Sequence, residues 1–379
     1  MIGFKVWKWL ALPACWLTGT AQAQQPPETH PGSERRDVVL TYDRSALPGD
    51  QVLWAERTVL GYSQVQPPQY GTLHLTCSSD SDAARGQCPV SDTKETGRGH
   101  SDVRLRFKER RSGLTTELVV TGWLQRLAYS YSCGDLWQPT QRPLSTSHGL
   151  GCMLFDPAGT AVAMTLPERE LEKLVAGRWD ATLELFLRND AEGPVLATYI
   201  FAFDLTITDH DNVAIYFPAF DQVSPLVGLN IDYNPISAPP SVGGSTVLDM
   251  CLYDGLGSQS EYFDVAIRDD GRAAPGRPDG MFSVWHHSGG REDAHRLDYQ
   301  ITLDHNGARL PMPNNRAQVL RGIDTARLRL VILPGMRQPV YCVPTPLSLV
   351  TPRVPASSKE QGYYEGQLTV EFTLPAAGP

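Results

Sequence analysis

The most regular set of charged side chains lies in one strand-like segment, Val103 to Arg111. Side chains alternate between the two faces of a strand, so one face of this segment carries only cations: Arg104, Arg106, Lys108 and Arg110. Guanidinium groups bind carboxylates through paired hydrogen bonds, and a carboxylated sugar is therefore a ligand that this face could bind. The alternative is the solvated outer face of a two-sheet domain, which the pattern by itself favours.

A second cluster of reactive side chains contains His286, His287 and His295, flanked by Glu292 and Asp293. Its spacing matches no metal-ligand motif, so we interpret it as a solvated loop without a metal. The run Asp269–Gly271 lacks the regular oxygen spacing of a calcium loop and is interpreted as a turn.

Catalytic signatures are missing from the sequence. It contains no GxSxG, GxGxxG, P-loop or HExxH motif, so we expect neither an enzyme nor a cofactor. With 33 Lys and Arg against 42 Asp and Glu, the net charge is -9, and no nucleic-acid partner is expected because nucleic acid requires a basic face.

The N-terminal segment has the order of a secretory signal peptide. Lys5 and Lys8 precede an apolar run through Leu17, and Ala21-Gln22-Ala23 forms a small-x-small cleavage site before Gln24. The apolar run is too short for a resident membrane helix, and no later run approaches spanning length. We therefore expect residues 1–23 to be removed on export.

Removal of the signal leaves six cysteines, and an even number in an exported chain predicts disulfides. Six cysteines allow fifteen pairings. They fall into two close pairs and one distant pair, and none forms a CxxC motif. This grouping favours Cys77–Cys88, Cys133–Cys152 and Cys251–Cys342.

The rest of the composition indicates an all-β protein of about two domains. The 379 residues include 33 Gly and 30 Pro, and short β-rich runs alternate with turn residues. Apolar residues alternate with mostly polar neighbours along Trp179–Leu187 and recur at every second position of Ala197–Ile207, which predicts a hairpin with one buried face. Polar residues at Thr208–Asn212 interrupt the pattern, so we expect domains at 24–209 and 210–379.

The last strand-like segment, Gly362 to Leu374, has the same period of two. One face carries four apolar side chains: Leu368, Val370, Phe372 and Leu374. They could belong to the last strand of a complete immunoglobulin-like sandwich. They could equally border a groove left by a missing strand, which another chain fills by strand addition.

Taken together, these motifs resemble the minor tip subunits of class 5 chaperone–usher fimbriae, the family of the CFA/I-type tip adhesin and the CblD-like pilus biogenesis initiators. The resemblance rests on short motifs in a fixed order: LTCSSD, GQCP, SCGD, GCML, GRWDATLEL, TDHDNVAIYFPAFDQVSPLVGLNID, VLDMCLYDG, PVYCVP and GYYEGQLTVEF. It implies two immunoglobulin-like β-sandwiches in tandem, an N-terminal adhesin domain and a C-terminal pilin domain that lacks a strand. A periplasmic chaperone and then a major pilin would supply that strand, and an outer-membrane usher would export the fibre with this chain at its tip.

The receptor site implied by the resemblance is only partly kept. The family has an arginine doublet in the turn after the strand that matches Thr182–Leu187, and these arginines bind sialylated host glycans. Here the turn reads Arg188-Asn189-Asp190, and the position of a third arginine lies near Thr72. Arg188 is the remaining candidate. Three functions stay open: a host-glycan adhesin, an initiator with no receptor, and an unrelated secreted enzyme.

Overall fold

A computed structural model describes residues 26–65, 69–128, 136–149, 157–190, 193–220 and 224–374. The signal segment lies outside these residues. The N-terminal half consists of nine strands and one short helix, α1 (Glu168–Leu171). The strands are β1 (Glu34–Asp43), β2 (Gln51–Tyr62), β3 (His74–Thr76), β4 (Ser101–Glu109), β5 (Thr115–Leu127), β6 (Trp137–Arg142), β7 (Gly159–Leu166), β8 (Gly177–Arg188) and β9 (Ala197–Thr208).

The C-terminal half is built from fourteen shorter strands. They are β10 (Ala214–Tyr216), β11 (Ile231–Asn234), β12 (Ser241–Leu248), β13 (Cys251–Tyr253), β14 (Tyr262–Arg268), β15 (Phe282–His286), β16 (Arg296–His305), β17 (Ala308–Met312), β18 (Gln318–Arg321), β19 (Arg329–Val331), β20 (Val340–Pro344), β21 (Leu347–Pro355), β22 (Tyr364–Glu365) and β23 (Thr369–Thr373). Turns and 3-10 segments connect them, and no helix in the described ranges is long and apolar enough to cross a membrane.

The sheet of the first half is organised around the predicted hairpin of β8 and β9. These strands pair antiparallel from Gly177 opposite Ile207 to Leu187 opposite Ala197. Alternate residues of both strands face the core, as their period predicts. The sheet continues in the order β1-β9-β8-β4-β5-β7-β2, with β1 parallel to β9. The prediction of a buried hairpin is confirmed.

The second half packs two layers over a separate core. One layer has the order β11-β12-β21-β16-β15-β22, and the other has the order β18-β14-β23. Inward side chains of both layers, such as Phe263, Leu303 and Leu347, are fully buried between them. A further small sheet, β10-β13-β20-β19, extends towards the first half. Alternation along short antiparallel strands produces this sandwich because each strand has one apolar face to bury.

The two halves are docked on each other around residue 209. The amide of Asp209 donates to the carbonyl of Gly255 at 2.7 Å, and the carboxylate of Asp209 lies 3.3 Å from Arg44 Nη1. Gly255 has φ +65, and a side chain there would collide with the Asp209 carbonyl, so this close approach requires glycine. The apolar core of the first half also includes Tyr253 and Val340.

Two of the three predicted cysteine pairs are disulfides in the structure. Cys77 is bonded to Cys88 and Cys251 to Cys342, closing loops with separations of 11 and 91 residues. Cys133 and Cys152 lie outside the described residues, and their pairing stays a prediction.

Replacing a disulfide by two alanines should destabilise the protein, and the loss should grow with the logarithm of the number of residues in the loop that the disulfide closes. The chain-entropy relation gives about 4–5 kcal/mol for the Cys251–Cys342 loop and about 3 kcal/mol for the Cys77–Cys88 loop. Urea denaturation of the two double-alanine variants, each refolded with a complementing strand, measures both losses. A larger loss for the Cys77/Cys88 variant would contradict this assignment of their stabilising roles.

Candidate functional site

The terminal strand β23 is paired along only one edge. Its residues Thr369 to Thr373 pair antiparallel with Arg268 to Asp264 of β14. Within the described residues β14 is its only partner, and β23 ends the layer β18-β14-β23. Its other edge therefore presents unpaired backbone N–H and C=O groups, which can accept an additional strand.

The position beside this edge is where an immunoglobulin-like sandwich has its last strand. In that fold one layer runs C-F-G, and its C and F strands pair as β14 and β23 do here. No described residue occupies the place of G.

Partly buried apolar side chains from two segments of the chain pack against the second core. On β23 and its flanks, Leu368, Val370, Phe372 and Leu374 are only partly buried but pack against the second core. Phe372 contacts the buried ring of Phe263 edge-on, with centroids 5.4 Å apart. The chain from β10 to β11 contributes a second partly buried row, Ile215, Phe217, Phe220, Val227 and Leu229. We call the open position beside the outer edge of β23, together with the partly buried side chains of that strand, the groove.

The predicted cationic face exists, but half of it is neutralised. Val103, Leu105 and Phe107 are fully buried, so the alternate residues of β4 point outwards. Arg106 Nη2 lies 3.0 Å from Asp82 and 3.6 Å from Glu117.

Arg110, just beyond β4, joins three strands through its guanidinium. Its Nε donates to Asp180 of β8 at 2.6 Å, and its Nη2 lies 3.1 Å from Asp204 of β9. Hydrogen bonds to Asp180 and Asp204 raise the pKa of Arg110 above its ordinary value. Arg104 and Lys108 are exposed and form no ion pair with any residue of the described part. They are the cations of this face that remain available to a ligand.

Arg188 holds the turn after β8 together. Its Nη1 donates to the carbonyl of Gly193 at 2.6 Å, while its Nε is buried without a hydrogen-bond partner among the described residues. His74 lies opposite Arg188 in the β3–β8 pairing, and burial lowers the pKa of this histidine. The guanidinium of Arg188 is thus not presented as an open fork for a carboxylate.

Sequence reasoning missed the fully buried Arg126. Its guanidinium donates to the carbonyls of Leu73 and Thr146, each at 2.6 Å, and to the hydroxyl of Thr160 at 2.6 Å. Burial lowers its pKa to about 9. The signal was the period of β5, because the alternation through Leu118, Val120 and Leu124 puts residue 126 on the inward face.

The histidine cluster is the expected solvated loop only in part, because His287, Glu292 and Asp293 are exposed but His286 is not. His286 is buried at the end of β15, accepts from the amide of Ser288 at 3.2 Å, and donates from Nε2 to the Gln361 carbonyl at 3.2 Å. The interpretation failed for His286 because strand pairing with β22 continues to this residue. The described residues contain no group of three or more His, Cys, Asp or Glu side chains placed to hold a metal.

Comparison with known families shows to which protein family this chain belongs. The family model for the first domain of CfaE, a CFA/I fimbrial subunit, matches residues 19–210, and the model for its second domain matches residues 213–376. The chain belongs to the CfaE family of CFA/I fimbrial subunits. The resemblance drawn from the sequence motifs is confirmed.

Individual members of the CfaE family agree with this assignment. The CFA/I fimbrial protein CfaE of Escherichia coli is 28% identical over 314 residues, covering 80% of this chain and 81% of that protein. The crystal structure of CfaE, the adhesive subunit of CFA/I fimbria of enterotoxigenic Escherichia coli, superposes with a TM-score of 0.69 at 25% identity, covering 93% and 95% of the two chains. A chaperone–tip adhesin complex of CFA/I fimbriae biogenesis gives 0.66 at 25% identity, covering 93% and 99%. The predicted all-β fold with two sandwiches is confirmed.

Removing the Arg110 side chain should destabilise the first half. Asp180 and Asp204 lie directly opposite each other in the β8–β9 pairing, so Arg110→Ala leaves two like charges facing one another. We expect a loss of about 1 kcal/mol in the free energy of unfolding, shrinking as salt is added. Arg104→Ala, which removes an unpaired cation of the same face, is the matched control and should change stability by less than about 0.5 kcal/mol. Equal effects of both variants in urea denaturation would show that the ion pairs of Arg110 with Asp180 and Asp204 do not stabilise the first half.

Proposed function

We propose that this protein is the minor tip subunit of a chaperone–usher pilus, and that its second half is completed by a strand from another chain. The unpaired outer edge of β23, beside the apolar groove, carries this proposal. An extended peptide can hydrogen-bond to such an edge while its alternate side chains fill the groove, which is the mode of strand addition.

The free energy gained when an added strand buries its side chains in the groove makes strand addition a condition for stable folding. Four apolar side chains entering it contribute roughly 6–12 kcal/mol, at about 1.5–3 kcal/mol each. The whole free energy of unfolding of a domain is about 5–15 kcal/mol. A periplasmic chaperone therefore supplies the first strand and the major pilin replaces it, while an outer-membrane usher exports the assembly.

The position in the fibre follows from an asymmetry that the family resemblance implies, namely that a tip subunit accepts a strand and has none of its own to offer. Such a subunit occupies the end of the fibre and starts its assembly. In this proposal residues 1–23 are the signal peptide, 24–209 the adhesin domain and 210–379 the pilin domain. The mature protein passes through the periplasm to the cell surface, and it needs no cofactor and binds no nucleic acid.

The first half then serves attachment and not catalysis. A host glycan is its proposed ligand, in line with the adhesive role named for the similar CfaE. An initiator without a receptor is the second candidate, because Arg188 is held in its turn and Arg106 and Arg110 are ion-paired.

A charge placed in the groove should block strand addition. Val370→Asp and Phe372→Asp put a carboxylate on the apolar face of β23, whereas Thr373→Asp puts the same charge on its exposed face. With a major-pilin N-terminal peptide fused after Pro379, we expect the first two variants to be insoluble or to melt without cooperativity, and the third to behave like the parent. High yields of monomeric, cooperatively melting parent protein without chaperone or peptide would show that the sandwich is complete.

The remaining cations of β4 provide a test of acidic ligands. If piliated cells attach through a carboxylated glycan, Arg104→Ala with Lys108→Ala should lower adhesion at least tenfold, because each charged hydrogen bond contributes about 1.5–3 kcal/mol. Pilus number, counted by electron microscopy, should not change because neither residue lies in the assembly half. Unchanged adhesion at equal piliation removes this face as the receptor site.

A further inference from the structure

A cavity of about 460 Å³ opens at the end of the first half that lies farthest from the second half. Strand β8 starts at Gly177, which contacts Gly257 of the second half, and ends at Arg188. At about 3.3 Å per residue, this strand carries the following turn roughly 36 Å away from the junction. The cavity is formed there by His30, Tyr70, Asn189, Asp190, Pro194 and Leu196, among others. We call it the distal cavity.

One side of the distal cavity is a fixed aromatic and apolar wall. Tyr70 is 7% exposed, and its hydroxyl is hydrogen-bonded to His30 Nδ1 at 2.8 Å. The two rings meet edge-on, with centroids 5.7 Å apart and an interplanar angle of 78°. Leu196, 40% exposed, and Pro194 extend this wall. A wall of this kind can contact the C–H face of a sugar ring without rearranging.

The lining of the distal cavity also includes polar groups suited to hydroxyls. The Asn189 amide is oriented, since its Oδ1 accepts from Thr72 Oγ1 and its Nδ2 donates to the Gln69 carbonyl, both at 2.9 Å. One amide hydrogen and one lone pair of Asn189 are not used by the described residues and could serve a ligand. The Asp190 carboxylate is exposed and forms no hydrogen bond or ion pair with the described residues. A carboxylate accepts from adjacent hydroxyls, which sugars present in pairs.

The charge around the distal cavity selects against acidic ligands. Asp190 lies in its rim, and Glu28 lies 3.7 Å from His30 Nε2. The nearest arginine of the turn, Arg188, does not line the cavity and donates to the Gly193 carbonyl instead. A ligand carboxylate entering here would meet like charge without a guanidinium to pair with.

We infer that the distal cavity binds an uncharged hexopyranose, the terminal sugar of a neutral glycan, with Asp190 accepting from its hydroxyls and the Tyr70–His30 wall contacting its ring. This inference rests on the proposed adhesive function and specifies the chemical class of its ligand. The cavity volume is within the range of about 300–1,000 Å³ that small-ligand sites occupy.

Saturation-transfer NMR on the full mature chain, completed by its fused strand, tests the inference with four probes. The probes are the methyl glycosides of galactose, mannose and N-acetylglucosamine, and the methyl glycoside of N-acetylneuraminic acid. We expect transfer to at least one neutral glycoside and none to the sialoside. Asp190→Ala should weaken the binding at least tenfold, as should His30→Ala, which removes half of the wall. Asp80→Ala, the loss of another exposed loop carboxylate in the same domain, should leave it unchanged.

Three outcomes would overturn the inference: no transfer to any neutral glycoside, transfer to the sialoside alone, or neutral-sugar binding that survives both variants. Circular dichroism and cooperative melting of each variant exclude misfolding as the cause of a loss. None of these outcomes touches the proposed tip function, which fails separately if cells lacking this protein still assemble intact pili.

Discussion

The unpaired edge of β23 is the constraint on which the rest of the second half depends. A strand in a finished sandwich has both backbone edges paired or covered, because buried N–H and C=O groups without partners are costly. On β14, the neighbouring strand with partners on both sides, Val265 and Ile267 are fully buried. Their counterparts Val370 and Phe372 on β23 are only partly buried. An added strand would bury the side chains of β23 as fully as those of β14. The open edge therefore costs stability in the isolated chain, and it is also the place where an added strand would bind.

The first half is joined to this sandwich by hydrogen bonds and by apolar contacts. Arg111, in the turn after β4, donates from Nη2 to the carbonyls of Ile323 and Ala326 at 2.6 and 3.0 Å. Its neighbour Glu109 is buried and accepts from the amides of Arg111 and Ser112 at 3.0 and 2.6 Å, which fixes the turn. With Gly255 against Asp209 and Tyr253 in the first core, the contact is both apolar and hydrogen-bonded. An interface of this composition holds two domains in one orientation more firmly than a flexible linker would.

Period-two alternation was sufficient to predict much of this structure. It identified the hairpin of β8 and β9, the outward row of β4 and the apolar face of β23, because burial of alternate side chains depends only on local sequence. It did not identify the residues from distant parts of the chain that pair with these side chains or cover them. Arg110 is neutralised by Asp180 and Asp204, about 70 and 94 positions away, and only the order β9-β8-β4 brings them together. The buried position of His286 likewise depends on β22, almost 80 residues later.

The distribution of arginines links the fold to the chemistry of the outer surface. Arg126 is inside the first half, bonded to backbone carbonyls, and Arg188 holds the turn at its far end. A guanidinium has five donors in a fixed plane, which lets Arg126 donate to the carbonyls of Leu73 and Thr146 and to the hydroxyl of Thr160 at once. Arg188 is therefore engaged within the turn, and the described residues of the turn that line the distal cavity include Asn189 and Asp190. We therefore expect this turn to pair poorly with an acidic ligand and to offer acceptors to hydroxyl groups. The hydrogen bond of Arg188 to the Gly193 carbonyl thus stabilises the turn, and it is also the reason why we expect an uncharged ligand.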